Sequence, residues 1–280
     1  MAKLSIVVLQ YNKSEHTLAC LEALRALSAG GGSSFGGMLQ VVVVDNGSEV
    51  QHLKNVEFWI ASQKMSNYEL LISNENLGYS GGNNLGIKKA LEDGAEKILI
   101  LNNDVVVEPD FLDRLLEVDS DIVGLEELII KGWFYLFYYL PGHALLIKKR
   151  VFEKIGLFDE RNFLYYEDVE FCERARKAEF YLSIAKSART SLKHTVSAST
   201  KALGPADLLY YHTRNLLLLY NTHVTMILPI WYSLQTWRLW TKLKQHIKIA
   251  FGRDVEISKA ILQGIKDYEH GRFGQRKNGL

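Results

Sequence analysis

Three aspartates occupy positions, two strand ends and a helix start, at which a carboxylate can bind a ligand or act as a base. Asp45 follows the apolar residues 41–44, Asp104 follows the apolar residues 98–101, and Asp168 stands at the start of a predicted helix. A carboxylate at the end of a buried strand accepts hydrogen bonds from a ribose or a uracil-type base, or helps to bind a hard divalent cation. A carboxylate at a helix N-terminus suits a general base. The structural alternatives are a turn at Asp45 and Asp104, and a solvated acidic helix start at Asp168.

Residues 74–86 form a glycine- and asparagine-rich segment ahead of a helix predicted from about Asn83 to Glu92. Glycines let a backbone approach a ligand closely, and a helix N-terminus favours negative charge. The segment has neither the dinucleotide-binding fingerprint nor the lysine of a phosphate loop, so alone it identifies no ligand. A second glycine-rich stretch, residues 28–37, leads into a strand and is predicted to be a flexible connection.

The elements that position these residues alternate between strands and helices. Apolar runs at 4–9, 38–44, 70–72 and 97–101 predict strands, and helical patterns follow them. This alternation is typical of a mostly parallel α/β sheet, which binds ligands at the carboxyl ends of its strands. Strands and aromatic residues are expected between 122 and 147, and helices at 168–177 and after 208.

Composition narrows the class of protein. The 33 basic and 32 acidic residues leave a net charge of +1, which does not favour a nucleic-acid partner. The two cysteines, Cys20 and Cys172, have no metal-ligand spacing, so we expect neither a zinc site nor a disulfide framework. Residues 4–9 read as a strand and not as a signal peptide, so we expect a cytoplasmic protein.

Taken in order, these segments resemble the family 2 glycosyltransferases and their GT-A fold, a Rossmann-like, mostly parallel sheet flanked by helices. Within that family the chain looks most like the rhamnosyltransferase-type branch that builds bacterial surface polysaccharides. The resemblance covers roughly residues 3–200. It rests on residues 5–8, 11–12, 44–48, 76–78, 81–83, 101–104, 142, 152–159, 167–168, 194, 197 and 199.

The resemblance implies roles for individual residues. Asp168 matches the catalytic base, and Asp104 matches the last residue of the Asp-x-Asp metal motif, whose first position here is Asn102. His194 matches a histidine of the metal or diphosphate site. Donor contacts are expected from Leu9, Tyr11, Asp45, Gly78, Gly82, Asn83, Asn102 and Asn103, and acceptor or diphosphate contacts from Glu167 and Arg214. A structural ion pair is the alternative for Arg214.

The implied activity is inverting transfer of a sugar from a nucleotide-sugar, dTDP-rhamnose or a UDP-sugar, to an acceptor hydroxyl. The implied acceptor is a glycan or a lipid-linked sugar, and the implied cofactor is Mg²⁺ or Mn²⁺. Inversion needs one base, and the sequence offers no second candidate nucleophile. The competing hypotheses are a sugar nucleotidyltransferase and a non-catalytic nucleotide-sugar-binding protein.

We divide the chain into a GT-A domain at 1–204 and a helical extension at 205–280. Within the domain, about 1–108 form the nucleotide-sugar half and about 109–204 the acceptor half. In the extension, Trp231, Trp237 and Trp240 stand among Arg238, Lys242, Lys244 and Lys248. This pattern suits peripheral contact with the inner face of the plasma membrane, or helices packed on the domain or on a second subunit of a homodimer. For the aromatic residues between Gly124 and Gly142, we expect packing in the core or in an interface more than stacking on an acceptor sugar.

Overall fold

The computed structural model describes residues 3–29, 39–63, 66–131, 135–194, 204–224 and 228–277. Most of the predicted connection at 28–37 lies outside these ranges, as do Trp133, Phe134, Ser197 and Ser199.

Strands and helices alternate through the first hundred residues, as the sequence predicts. The strands are β1 (Leu4–Gln10), β2 (Leu39–Asn46), β3 (Tyr68–Ser73), β4 (Lys97–Asn102), β5 (Val105–Val107), β6 (Ile122–Gly124), β7 (Leu128–Lys131), β8 (Leu136–Tyr139), β9 (Ala144–Lys148), β10 (Leu182–Ile184) and β11 (Leu192–His194). The helices are α1 (Ser14–Ala29), α2 (Val50–Gln63), α3 (Gly78–Glu92), α4 (Phe111–Leu116), α5 (Lys149–Ile155), α6 (Glu167–Lys177), α7 (Lys186–Arg189), α8 (Pro205–His223), α9 (Leu228–Ala250) and α10 (Val255–Glu269).

A seven-stranded sheet in the order β10-β6-β9-β4-β1-β2-β3 forms the centre of the domain. All of its pairings are parallel except those of β9, which runs antiparallel to β4 and β6. The predicted mostly parallel α/β sheet is therefore confirmed. The small pairs β5–β11 and β7–β8 are antiparallel.

The sheet is buried on both faces, which explains its continuous apolar runs. Ile6 and Val8 pack with α1 and α2 on one face, and Val7 packs with α3, α5 and α6 on the other. Successive side chains of a strand point to opposite faces, so one strand serves two cores.

Two boundaries differ from the sequence expectation, and tertiary packing explains the larger difference. Strand β2 continues through Asp45 and Asn46. Helix α3 begins at Gly78, so most of the glycine-rich segment is helical. A Cβ atom at Gly82 would lie 2.4 Å from Leu9 Cδ1, and one at Gly86 would lie 2.4 Å from Val7 Cγ1. The glycines thus let α3 pack closely on β1, and this packing outweighs their low helix propensity.

Helix α8 packs along α10 and also contacts α6, and α9 packs on α10. None of the described helices combines the length and the hydrophobicity that a membrane crossing needs. The aromatic segment contributes Phe137, which is buried edge-on against Tyr220 of α8 with ring centroids 5.4 Å apart. The expected core packing is confirmed for this residue.

Candidate active site

The carboxyl ends of three adjacent strands gather the predicted donor-binding residues at one edge of the sheet. Gln10 is paired with Asp45 across β1 and β2, and Leu9 is paired with Asn102 across β1 and β4. Tyr11 follows β1 directly, and half of its surface is exposed. Parallel pairing therefore brings together residues that are far apart in the sequence.

Asp45 combines the two interpretations that the sequence left open. Its Oδ1 accepts a hydrogen bond of 3.0 Å from the Ser48 amide, which is the expected turn contact. Its Oδ2 is buried and has no hydrogen-bond partner among the described residues. A buried acceptor without a partner costs about 1–3 kcal/mol, and a donor group of a ligand would remove that cost.

The start of α3 is tied to the end of β2 by a residue that the sequence reasoning missed. The Asn46 amide donates to the Gly78 carbonyl (3.0 Å) and its Oδ1 accepts from the Leu77 N–H (2.9 Å). Gly78 has a φ of +74°, and a Cβ atom there would lie 2.1 Å from the carbonyl oxygen of Phe163. Close packing therefore accounts for Gly78, as it does for Gly82.

Asn83 donates to the Tyr79 carbonyl within α3 (2.9 Å), while its Oδ1 is buried without a partner among the described residues. Direct contacts of Gly78, Gly82 and Asn83 with the donor stay predictions.

The candidate metal residues lie in the turn after β4 and on β11. Asp104 is buried, and His194 is paired across β11 and β5 with Val105, the residue that follows Asp104. The His143 ring lies against the His194 ring with centroids 5.1 Å apart. Burial and the neighbouring His194 lower the pKa of His143 to about 4. Asn103 donates to the Thr17 hydroxyl (2.8 Å), which holds the turn against α1.

These residues fit part of a divalent-cation site. Among the residues that the structure describes, no three His, Cys, Asp or Glu side chains form a complete metal site. Asp104 offers one carboxylate, and His194, whose strand partner is the next residue Val105, offers one imidazole. A cation bound to a nucleotide keeps waters and takes phosphate oxygens, so two protein ligands are compatible with a site that the donor completes.

Asp168 stands in the first turn of α6, partly buried. Its Oδ2 accepts from the Gly142 amide (3.1 Å) and its Oδ1 accepts from the Val169 amide (2.8 Å). Burial raises the pKa of Asp168 to about 6, against the lowering effect of the two amides. Burial and the adjacent Asp168 raise the pKa of Glu167 well above its usual range. Both carboxyls therefore keep a proton to higher pH than exposed carboxyls do.

The turn before these carboxyls is strained. Tyr165 and Tyr166 have φ angles of +68° and +72°, in the left-handed region that side chains disfavour. The Asn215 amide of α8 donates to the carbonyls of Leu164 (2.9 Å) and Tyr165 (3.0 Å), which holds the turn in place. Strain that the surrounding structure maintains is common at functional sites.

Tyr79 links the base to the strand ends, and the sequence reasoning missed it. Its hydroxyl lies 2.7 Å from the Gly142 carbonyl oxygen and 3.2 Å from Asn102 Oδ1, so it donates to either. The backbone N–H of Asn102 donates to the His143 carbonyl (3.0 Å). A Cβ atom at Gly142 would lie 2.8 Å from the Tyr79 oxygen, so glycine leaves room for this contact.

Two expectations need correction. Arg214 is fully buried, and its guanidinium donates to Asn215 Oδ1, the Tyr210 hydroxyl and the carbonyls of Gly274 and Arg161. These partners are neutral oxygens, so the structure presents Arg214 as a brace of the helical extension and not as an exposed ligand contact.

The acidic start of α6 is not a solvated face, as the alternative for Asp168 supposed. Glu170 is buried and bonded to Arg174 (2.7 Å) and His223 (3.1 Å), while Glu173 is buried and accepts from the Tyr135 hydroxyl (3.2 Å). Arg174 is a partner within α6 at helical spacing, whereas His223 of α8 and Tyr135, just before β8, are partners that the helical repeat does not reveal.

Comparison with known proteins finds a family match over part of the chain. Residues 5–122 match the sequence family described as glycosyl transferase family 2. The low-salt glycan biosynthesis hexosyltransferase Agl10 of Haloferax volcanii is 30% identical over 207 residues, 62% of this chain and 62% of the relative. The matched part thus spans less than two thirds of that relative's length. The dTDP-rhamnosyl transferase RfbF of Shigella flexneri is 24% identical over 229 residues, 68% of this chain and 74% of the relative.

The solved structure of the mannosyltransferase PcManGT from Pyrobaculum calidifontis, in complex with GDP-Man and Mn²⁺, has a similar fold. Its TM-score is 0.61 at 12% identity, covering 96% of this chain and 87% of that one. This similarity supports the GT-A fold. Residues 5–122 thus match glycosyl transferase family 2, and they lie in a chain with the GT-A fold that is similar to hexosyl- and rhamnosyltransferases.

Proposed function

We propose that the protein transfers a sugar from a nucleoside-diphosphate sugar to an acceptor hydroxyl with inversion, and that Asp168 is the general base. The observation that carries the proposal is the position of Asp168. Its carboxylate has a pKa near 6, and Gly142 and Tyr79 link it to the strand end at Asn102. A base whose pKa is close to the working pH is present in its deprotonated form and still accepts a proton readily. Such general-base assistance is worth about 10²–10⁴-fold in rate.

The donor would lie along the carboxyl edge of β1, β2 and β4. Asp45 offers its buried Oδ2 to the ribose or base, and the exposed Tyr11 ring offers a stacking surface beside it. Main-chain groups near Leu9, together with Asn102 and Asn103, would complete the nucleotide and diphosphate contacts. Gly78, Gly82 and Asn83 remain predicted donor contacts.

In the transfer step the acceptor oxygen attacks the anomeric carbon while Asp168 takes its proton. The bond from that carbon to the diphosphate oxygen breaks, and its electron pair leaves with the nucleotide. Glu167, next to the base, would contact the acceptor. Asp104 and His194 would hold Mg²⁺ or Mn²⁺ on the diphosphate, and a bound cation stabilises the negative charge of a departing diphosphate.

The relatives guide the choice of donor and acceptor. We propose dTDP-rhamnose first and UDP-sugars second, in keeping with the rhamnosyl transferase among the relatives. N-acetylglucosaminyl-diphospho-decaprenol L-rhamnosyltransferase of Mycobacterium tuberculosis matches over a shorter segment, 35% identical over 77 residues. We therefore propose a lipid-linked glycan acceptor and a peripheral position at the inner face of the plasma membrane.

The test compares wild type with the Asp168→Asn variant. The assay follows donor consumption and, by NMR, the anomeric configuration of the product, in the presence of Mn²⁺. We expect inversion in the wild type and a loss of at least ~10²-fold in kcat for the variant, with donor binding by calorimetry unchanged. Full activity of the variant, or retention of configuration, would overturn the proposal. Incubation with a sugar 1-phosphate and a nucleoside triphosphate tests the nucleotidyltransferase alternative.

A further inference from the structure

Helix α9 has one side packed against its neighbour. Gln245 is buried there and accepts a hydrogen bond from Ser258 of α10 (3.0 Å). Arg238 and Lys242 both bond to Glu269 at the end of α10. These contacts orient α9, so its opposite side faces away from the described part of the chain.

The opposite side of α9 is an apolar stripe. Leu239, Trp240 and Phe251 are 66%, 71% and 78% exposed. At 3.6 residues per turn six of the exposed apolar side chains fall on one side of the helix, with Phe251 one residue beyond its end, while the exposed Trp231 near the start of α9 lies outside this arc. The apolar stripe consists of Tyr232, Leu239, Trp240, Leu243, Ile247 and Phe251. A continuous exposed patch of large apolar side chains marks an interaction surface.

The charge around the apolar stripe has one sign. Residues 231–253 contain five Lys or Arg and no Asp or Glu, although the whole chain has a net charge of only +1. Arg238 and Lys242 share the Glu269 carboxylate, and Lys248 bonds to Asp254 (2.9 Å). These two carboxylates balance only part of the positive charge. The stripe is therefore flanked by a net excess of cations.

We propose that the apolar stripe of α9 lies on an anionic lipid surface. The aromatic and aliphatic side chains enter the headgroup boundary, and the flanking cations bind lipid phosphates. The helix lies on the membrane, since no described helix is suited to cross one. This inference deepens the proposed function by naming the surface that brings the active site to a lipid-linked acceptor, and it rests on that function only for the identity of the acceptor.

A second copy of the chain fits the stripe less well. Pairing two α9 helices would bring ten cationic side chains together with only the carboxylates of Glu269 and Asp254 from each copy. Like charges at an interface are unfavourable, and interface cores are depleted of charged residues. An anionic surface supplies the complementary charge that a second copy lacks.

The experiment measures binding of the full chain to vesicles, without donor or acceptor. We compare phosphatidylcholine vesicles with vesicles containing about 30% phosphatidylglycerol, a fraction that gives a strongly negative surface. Wild type should bind the anionic vesicles and lose most of that binding in 0.5 M salt, a concentration of roughly three times physiological strength. The double variant Trp240→Glu/Leu243→Glu should bind at least ~10-fold more weakly. Phe58→Glu is the matched control, since Phe58 is an equally exposed aromatic residue (76%) on α2.

A second variant guards against misfolding of the first. Lys244→Glu/Arg253→Glu leaves the apolar stripe intact and should weaken binding to anionic vesicles alone. Equal vesicle binding by wild type and both double variants would overturn the inference. A wild-type dimer in analytical ultracentrifugation that Trp240→Glu/Leu243→Glu converts to a monomer would also overturn it in favour of a second copy. Vesicle binding does not depend on catalysis, so its result is unchanged if the proposed transfer activity proves to be absent.

Discussion

Asp45 at the sheet edge and Arg214 in the helical extension are both buried, but their hydrogen bonding differs. Asp45 Oδ2, like Asn83 Oδ1 of α3 and Glu167 Oε2 of α6, has no hydrogen-bond partner among the described residues. In the extension, the larger and permanently charged Arg214 is also fully buried, yet its guanidinium has four oxygen partners. Buried polar groups normally have partners, so acceptors without them point to a missing ligand.

The same contrast appears in the apolar side chains. The central sheet hides its apolar residues on both faces, whereas α9 exposes a stripe of them. Each region therefore has side chains that the rest of the described chain neither bonds nor covers. The sheet edge lacks hydrogen-bond partners, which suits a polar ligand, and α9 lacks an apolar partner, which suits a lipid surface.

The largest effect on stability is expected from Arg214→Met. The change removes the donors that satisfy Gly274, Arg161 and Asn215, and we expect a loss of about 3 kcal/mol in the free energy of unfolding. Urea unfolding measures it, with the exposed Arg253→Met as control. Kinetics of the folded fraction should retain the wild-type donor KM. A large rise in KM without loss of stability would restore Arg214 as a ligand contact.

Asp45→Asn tests whether the buried carboxylate at the sheet edge binds the donor. Asn keeps the oxygen that accepts from Ser48 but replaces the charged acceptor, so the turn survives. We expect donor affinity to fall by about 2 kcal/mol, roughly 30-fold, while stability is nearly unchanged. Calorimetric titration with the donor measures the change, and the exposed Asp119→Asn provides the control. Unaltered affinity would exclude Asp45 from the donor site.

Tyr79→Phe tests the link between the base and the strand end. Loss of the hydroxyl frees the Gly142 carbonyl and weakens the placement of the Gly142 amide on Asp168. We expect kcat to fall about tenfold, near 1.4 kcal/mol, with little change in donor KM.

That amide lowers the pKa of Asp168 from the value that burial alone would impose, so its loss raises the pKa above about 6. The acidic limb of the kcat/KM profile should therefore move to higher pH in Tyr79→Phe. Tyr68→Phe is the control, because Tyr68 is buried on β3 with a hydroxyl that lacks a partner among the described residues. An equal loss in both variants with no shift of the profile would reduce Tyr79 to a packing role.

Glu167→Gln should have the smallest effect, and it should be stabilising. The folded state raises the pKa of Glu167, so its carboxyl lowers stability as pH rises above the unfolded-state value near 4. Replacement by the neutral amide should increase the free energy of unfolding by about 1 kcal/mol at pH 8, and this increase should vanish below roughly pH 4. Thermal unfolding across pH measures it against the exposed Glu57→Gln. A stability difference between the variant and wild type that does not change with pH would contradict the raised pKa of Glu167.

Much of the domain follows from local sequence patterns. The apolar runs that become β1, β2 and β4 are short, β-branched and bounded by polar residues, so strand type and order are readable without a structure. Carboxyl ends of parallel strands share one edge, and this rule alone places Asp45 near Asn102. The helix at Asp168 is also readable, because acidic residues favour a first turn.

Other features depend on contacts between distant residues. Residues 78–86 contain four glycines, and the part before Asn83 reads as a loop, yet close packing on Leu9 and Val7 makes the whole segment helical. Arg214 reads as a ligand contact or a structural ion pair, yet it is buried and bonds to the carbonyls of Gly274 and Arg161. Tyr79 carries no motif that assigns it a role, because its link between Gly142 and Asn102 exists only after folding.

Residue type and short-range periodicity are enough to predict the α/β class, the order of the strands along the chain and the carboxylates that stand at their ends. The tertiary structure decided which of the polar residues are satisfied and which await a partner. That distinction depends on desolvation and hydrogen bonding by residues tens to hundreds of positions away, and it separates the acceptors at the sheet edge from the brace at Arg214.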